Sequence, residues 1–161
     1  MISENILSRI HIQENVMLPL DVQYHADNAL MLAYTTSTAK QDRNYGHVYV
    51  KIIGQAETTL RLTEQPGDYG PPICTHHGNT LWVTHTAYHD KHRSLWVHAI
   101  QDKEKVLSLS LVAPAKIDNP HLSIFEDKVY LFWEDYAKGE AHIKYAVFAP
   151  QTLLAGDTVP E

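Results

Sequence analysis

The sequence predicts an all-β protein built from three repeated four-stranded units. Three observations predict it: a gapless self-similarity at an offset of 48 residues, apolar–polar alternation between turn signals, and no segment with a sustained helical period.

The offset lays Pro72 onto Pro120, so that Leu81 meets Val129, Trp82 meets Tyr130, Val83 meets Leu131, His85 meets Trp133 and Leu95 meets Ile143. An earlier copy fits the same frame with a longer middle loop, Leu30, Leu32 and Tyr34 taking the places of Leu81, Val83 and His85. The units run over about residues 21–69, 70–117 and 118–161, and together they make one domain over residues 1–161.

The elements follow in chain order. Residues 6–13, with the alternation of "LSRIHIQ", read as the outer strand of a unit that precedes the first copy. Within each copy a short strand leads into a turn, at Asp27-Asn28, His77-Gly78-Asn79 and Glu126-Asp127. A longer strand, a polar loop and a third strand come next. The alternating segments "TTLRLT" and "VLSLSLV" supply a fourth strand to the first two copies, leucines on one face and Arg, Thr or Ser on the other. The tail "QTLLAGDTVPE" is a poor strand, interrupted by Gly156 and Pro160, so the strand missing at the end is expected from residues 6–13 at the beginning.

Four strands in a unit of about 50 residues is the size of one β-propeller blade. Three blades in an open arc leave apolar faces in water, which monomers rarely tolerate. The expected remedy is a homodimer in which two arcs of three blades close one six-bladed ring.

"DKVYLFWEDYAKGEAHIKYAVF" resembles the blades of sialidase-like propellers, in which an apolar strand ending near Trp-Glu-Asp leads through a polar loop to an "I-x-Y-A" strand. The resemblance is one of blade pattern. The Asp-box Ser-x-Asp-x-Gly-x-Thr-Trp is absent, and the four arginines, Arg9, Arg43, Arg61 and Arg93, do not supply the family's substrate-clamping triad, since Arg9 and Arg61 fall on outer strands. Few blades per chain closed by oligomerisation is similar to small propeller lectins. That implies a non-enzymatic, carbohydrate-binding protein; the alternatives are a glycoside hydrolase of sialidase-like type and a protein-interaction scaffold.

Composition narrows the partners. Thirteen Lys and Arg against 19 Asp and Glu give a net charge of −6, which opposes attraction to a phosphate backbone, so no nucleic acid is expected. Cys74 is the sole cysteine and excludes an internal disulfide. Glu4, Arg9 and Glu14 interrupt the apolar core that a signal peptide would need, and no run reaches the length of a membrane span. The expectation is a cytoplasmic protein with no membrane partner.

In a propeller the loops after the second and fourth strands share one face of the ring, and there a glycan would be met by Arg43, Asp68, Tyr69, Tyr88, His89, Arg93, Asp118, Glu134, Asp135 and Tyr136. Aromatic rings flanked by Asp and Arg suit a sugar, which has an apolar face and a rim of hydroxyls. In the enzyme alternative, Glu134 and Asp135 are the catalytic candidates, although adjacent residues on a strand point to opposite faces. Asp68 or Asp118 would then be the partner carboxylate, if the ring brings the loops together. His89 and His92 are the metal candidates, but no HExxH or CxxC spacing accompanies them, and they read as solvated hairpin histidines. His85 belongs to a strand and is expected to pack between blades. No cofactor is expected.

Overall fold

The computed structural model describes residues 16–25, 29–37, 45–54, 56–89, 92–112, 116–137 and 139–154. They form three antiparallel sheets in chain order.

The first sheet has the order β1-β2-β4-β5, from Val16–His25, Ala29–Thr36, Val48–Ile53 and Thr58–Arg61. The second is built on β7 (Ile73–His77), β8 (Thr80–His89), β9 (His92–Gln101) and β10 (Glu104–Val112). Two short strands, β3 (Tyr45–Gly46) and β6 (Gly67–Tyr69), extend it beyond the reach of β7, with β6 paired to the far end of β8. The third sheet has the order β11-β12-β13, from Lys116–Phe125, Lys128–Ala137 and Glu140–Phe148.

Alternation along β8 explains how the layers stack. Leu81, Val83 and His85 point to one face and Trp82, Thr84 and Thr86 to the other, and all six are buried. The first set joins Met31, Val48, Val50 and Ile52 in a core between the first and second sheets. Trp82 joins Leu95, Val97, Leu122, Val129 and Leu131 in a core between the second and third. A strand covered on both faces is what a central propeller blade requires.

The tight hairpins carry the backbone signature of their turn. Asp102-Lys103 between β9 and β10, and Glu126-Asp127 between β11 and β12, have positive φ at both central residues (49° and 65°, 47° and 55°). That is the twist that closes a two-residue hairpin between right-twisted strands. Gly78, at φ 55°, serves the β7–β8 turn.

The described residues form strands where the alternation places them, with differences at the connections and the end. Part of the connection "TEQPGDYGPP" is strand β6, because Asp68 and Tyr69 pair with Tyr88 and Ala87. Part of the tail is a five-residue helix, α1 (Pro150–Leu154), with proline at its first position and Leu154 against the second core. The third sheet has three strands among the described residues, and β13 is its edge. Residues 6–13 and the Asp27-Asn28 turn lie outside the described residues. The outer face of the first sheet, expected to be bare at one end of the arc, is buried at Leu32 and Tyr34. No helix of the described residues is long and apolar enough to cross a membrane.

Candidate functional site

The site forms where the ends of β8, β9, β11 and β12 meet. Strand β11 is bulged between Asp118 and His121, and Asn119 adopts φ 48°, a conformation that asparagine tolerates better than most residues. Below the bulge the register is regular: Asp118 stands opposite Glu134 and Ile117 opposite Asp135. Residues directly opposed on antiparallel strands have Cβ atoms about 4.5–5.5 Å apart on the same face. One hairpin therefore sets two carboxylates side by side, with no ring closure needed.

Each carboxylate has its own donors. Arg93, opposite Tyr88 at the β8–β9 end, lays its guanidinium 4.3 Å from the centre of the Tyr88 ring. Its Nη1 donates to Asp118 Oδ2 at 2.6 Å and to the Ile117 carbonyl at 3.2 Å, and the Tyr88 hydroxyl donates to Asp118 Oδ1 at 3.4 Å. The pair is part-buried, which reduces screening and fixes the fork of Arg93 in one orientation. On Glu134, the Asn119 amide donates to Oε2 at 3.0 Å and the Tyr136 hydroxyl donates to the same oxygen. That hydrogen bond raises the Tyr136 pKa above the usual phenol value, with the charges of Glu134 and Asp118 adding to the rise and Arg93 opposing it.

Other expected residues lie elsewhere. Asp68 is exposed and opposite Tyr88 on the same face, one strand further out, so it borders the cluster. Tyr69 points the other way: its ring meets His85 edge-on at 5.3 Å and its hydroxyl donates to the Gln65 carbonyl at 2.8 Å. Burial raises its pKa, and it packs between the first two sheets. Asp135 is buried on the opposite face of β12 from Glu134 and pairs with Lys144. His89 and His92 are register partners at the β8–β9 end, with side chains outside the described set, and Arg43 lies outside the described residues. Among the described residues no group of three His, Cys, Asp or Glu side chains is placed to hold a metal ion.

Asn119, on the loop face through its Asp-Asn-Pro turn, proves to be a donor to Glu134. Asp118 was expected to meet a partner carboxylate only through ring closure; its opposition to Glu134 comes instead from where β11 bulges, which turn composition does not reveal.

No protein-family model matches the chain, and no curated protein sequence matches it significantly. Solved structures do. An α-L-arabinofuranosidase of Fusarium graminearum in complex with an iminosugar inhibitor is similar with a TM-score of 0.60 at 11% identity, over 84% of this chain and 49% of that one. The GH93 α-L-arabinofuranosidase of the same organism with arabinobiose is similar with a TM-score of 0.61 at 11% identity, over 84% of this chain and 45% of that one. A GH32 β-fructofuranosidase of Bombyx mori is similar with a TM-score of 0.50 at 12% identity, over 82% of this chain and 34% of that one. The chain thus spans about half the length, or less, of these structures. They are β-propeller glycoside hydrolases, and the likeness shows that the fold is of the propeller type. They also correct one expectation. The non-enzymatic, lectin-like reading is contradicted, because the solved structures similar to this chain are hydrolases of glycosides.

Proposed function

We propose that the chain contributes to the hydrolysis of glycosidic bonds, with Asp118 and Glu134 as the two carboxylates. The observation that carries this reading is their direct opposition across β11 and β12. Glycoside hydrolysis needs two carboxyl groups flanking one bond, about 5–5.5 Å apart in the retaining geometry and about 6.5–9.5 Å in the inverting one.

The environments divide the roles. Asp118 is oriented by hydrogen bonds from Arg93 and Tyr88, which suits a group that attacks the anomeric carbon or takes a proton from water. Glu134 receives both of its donors on Oε2, which leaves Oε1 to protonate the leaving oxygen. Tyr136 borders the pair and offers a ring face to a sugar, while one face of Tyr88 is taken by Arg93. The neighbours are named for arabinofuranosides and fructofuranosides, so the substrate class proposed here is a furanoside.

The test is turnover of aryl furanosides, α-L-arabinofuranoside and β-D-fructofuranoside first, by the full chain. Glu134→Gln and Asp118→Asn are each expected to lower kcat/KM by at least about 100-fold. Wild-type turnover in Glu134→Gln would sink the assignment, and absence of turnover across a panel of furanosides and pyranosides would sink the reading.

A further inference from the structure

The 48-residue repeat allows the two faces of neighbouring sheets to be compared position by position. In the second sheet Trp82, Leu95, Val97 and Ala99 are fully buried, packed against the third sheet. Their equivalents in the third sheet are Tyr130, Ile143, Tyr145 and Val147. These lie on one face, since Tyr130 pairs with Val147, Phe132 with Tyr145 and Glu134 with Ile143. The rings of Tyr130 and Phe132 stack at 6.3 Å, and Phe132 meets Tyr145 at 6.0 Å. Yet Ile143 is 79% exposed, Tyr145 65% and Phe125, at the end of the same sheet, 62%. The third sheet thus repeats the sheet-to-sheet contact surface of the second, and among the described residues no sheet covers it.

We propose that a second copy of this chain covers this face, the two open faces packing against each other about a two-fold axis. Continuity with the existing interface says what kind of surface fits: another sheet face, laid on at the shallow angle of packed sheets. The distribution of apolar exposure says whose. Of the eight large hydrophobic residues exposed among the described residues, five belong to the third sheet: Phe125, Ile143, Tyr145 and Val147 form the patch, and Tyr136 borders the candidate site. The corresponding face at the other end is already buried at Leu32 and Tyr34, so the open face finds its apolar match in its own copy. A two-fold contact is self-complementary and covers both patches at once.

Glu134 lies opposite Ile143 at one end of the patch, so the contact ends at Ile143 and leaves Glu134 and Tyr136 open to substrate. Its test does not depend on hydrolysis. Light scattering coupled to size exclusion of the full chain, from about 5 to 50 μM, is expected to give about twice 18.3 kDa. The double variant Ile143→Lys/Tyr145→Lys is expected to run as a monomer with an unchanged far-ultraviolet circular dichroism spectrum. Val106→Lys, an exposed position on β10, is expected to remain dimeric. If the double variant does not fold, the single variant Ile143→Glu, at a side chain that is mostly in solvent, is expected to weaken association at least tenfold. A monomeric wild type throughout this range overturns the proposal. So does a dimer that persists at wild-type affinity in the folded Ile143 variant.

Discussion

His85 and His98 meet Nε2 to Nε2 at 3.0 Å in the interior of the protein, with their rings stacked at 13°. The flanking bonds fix one proton arrangement. The Thr86 carbonyl can only accept, so His85 Nδ1 donates to it at 3.1 Å. In a neutral ring His85 Nε2 is then an acceptor, His98 Nε2 donates to it, and His98 Nδ1 accepts from the Ser108 hydroxyl at 3.0 Å. Every ring nitrogen is satisfied while both histidines are uncharged. Burial pushes His85 down to about 4, and burial together with the charges of His85 and Lys105 pushes His98 down as well.

Stability therefore falls with acid. A histidine whose folded pKa is lowered contributes stability that is fully present above its unfolded value of 6.5 and is lost as the pH falls toward the folded value. For His85 the shift corresponds to roughly 3 kcal/mol. Urea unfolding at pH 7.5, 6.0 and 5.0 is expected to show a falling midpoint, the steepest loss lying below pH 6.5. A flat profile would mean that the pair does not stay neutral in the folded protein.

Trp82 fills the space between the second and third sheets, and its buried indole N–H has no acceptor among the described residues. Trp82→Ala is expected to cost about 3–5 kcal/mol. Trp82→Phe removes the unsatisfied donor along with some volume, and its cost is expected to be less than half of that. Chemical denaturation of the two variants side by side is the measurement.

Lys103 and Glu126 occupy left-handed backbone, which costs a residue with a side chain about 1–2 kcal/mol. Lys103→Gly and Glu126→Gly are expected to be neutral or to raise stability by up to about 1 kcal/mol, after the entropy that glycine loses on folding. Gly46→Ala should act the opposite way, because a Cβ there would lie 1.7 Å from the Thr36 carbonyl oxygen. Thermal unfolding of the three variants orders them directly.

Arg93→Lys keeps the charge but loses the planar fork that reaches both Asp118 and the Ile117 carbonyl. In the proposed hydrolysis it is expected to lower kcat/KM at least tenfold while changing stability by less than about 1 kcal/mol, since the group is partly exposed. Turnover and urea midpoint on the same preparation separate the two effects.

The alternation of Leu81, Trp82, Val83, Thr84 and His85 specifies a strand buried on both faces, and the turn residues around Gly78 and Asp127 mark its ends. Those signals are local, with period two, so the sequence alone determined the strands and the all-β class. The tertiary structure decided the rest. Tyr69 and Tyr88 are both tyrosines near loops in sequence; the pairing of β6 with β8 turns one inward to His85 and the other toward Asp118. Asp118 meets Glu134, and Asp135 does not, because a bulge at Asn119 sets the register, and a one-residue slip would exchange the faces of the whole strand. Which end of the arc is bare depends on packing between sheets. An exposed Ile143 and a buried Leu95 occupy equivalent positions of the same repeat, and only the presence of a neighbouring sheet distinguishes them.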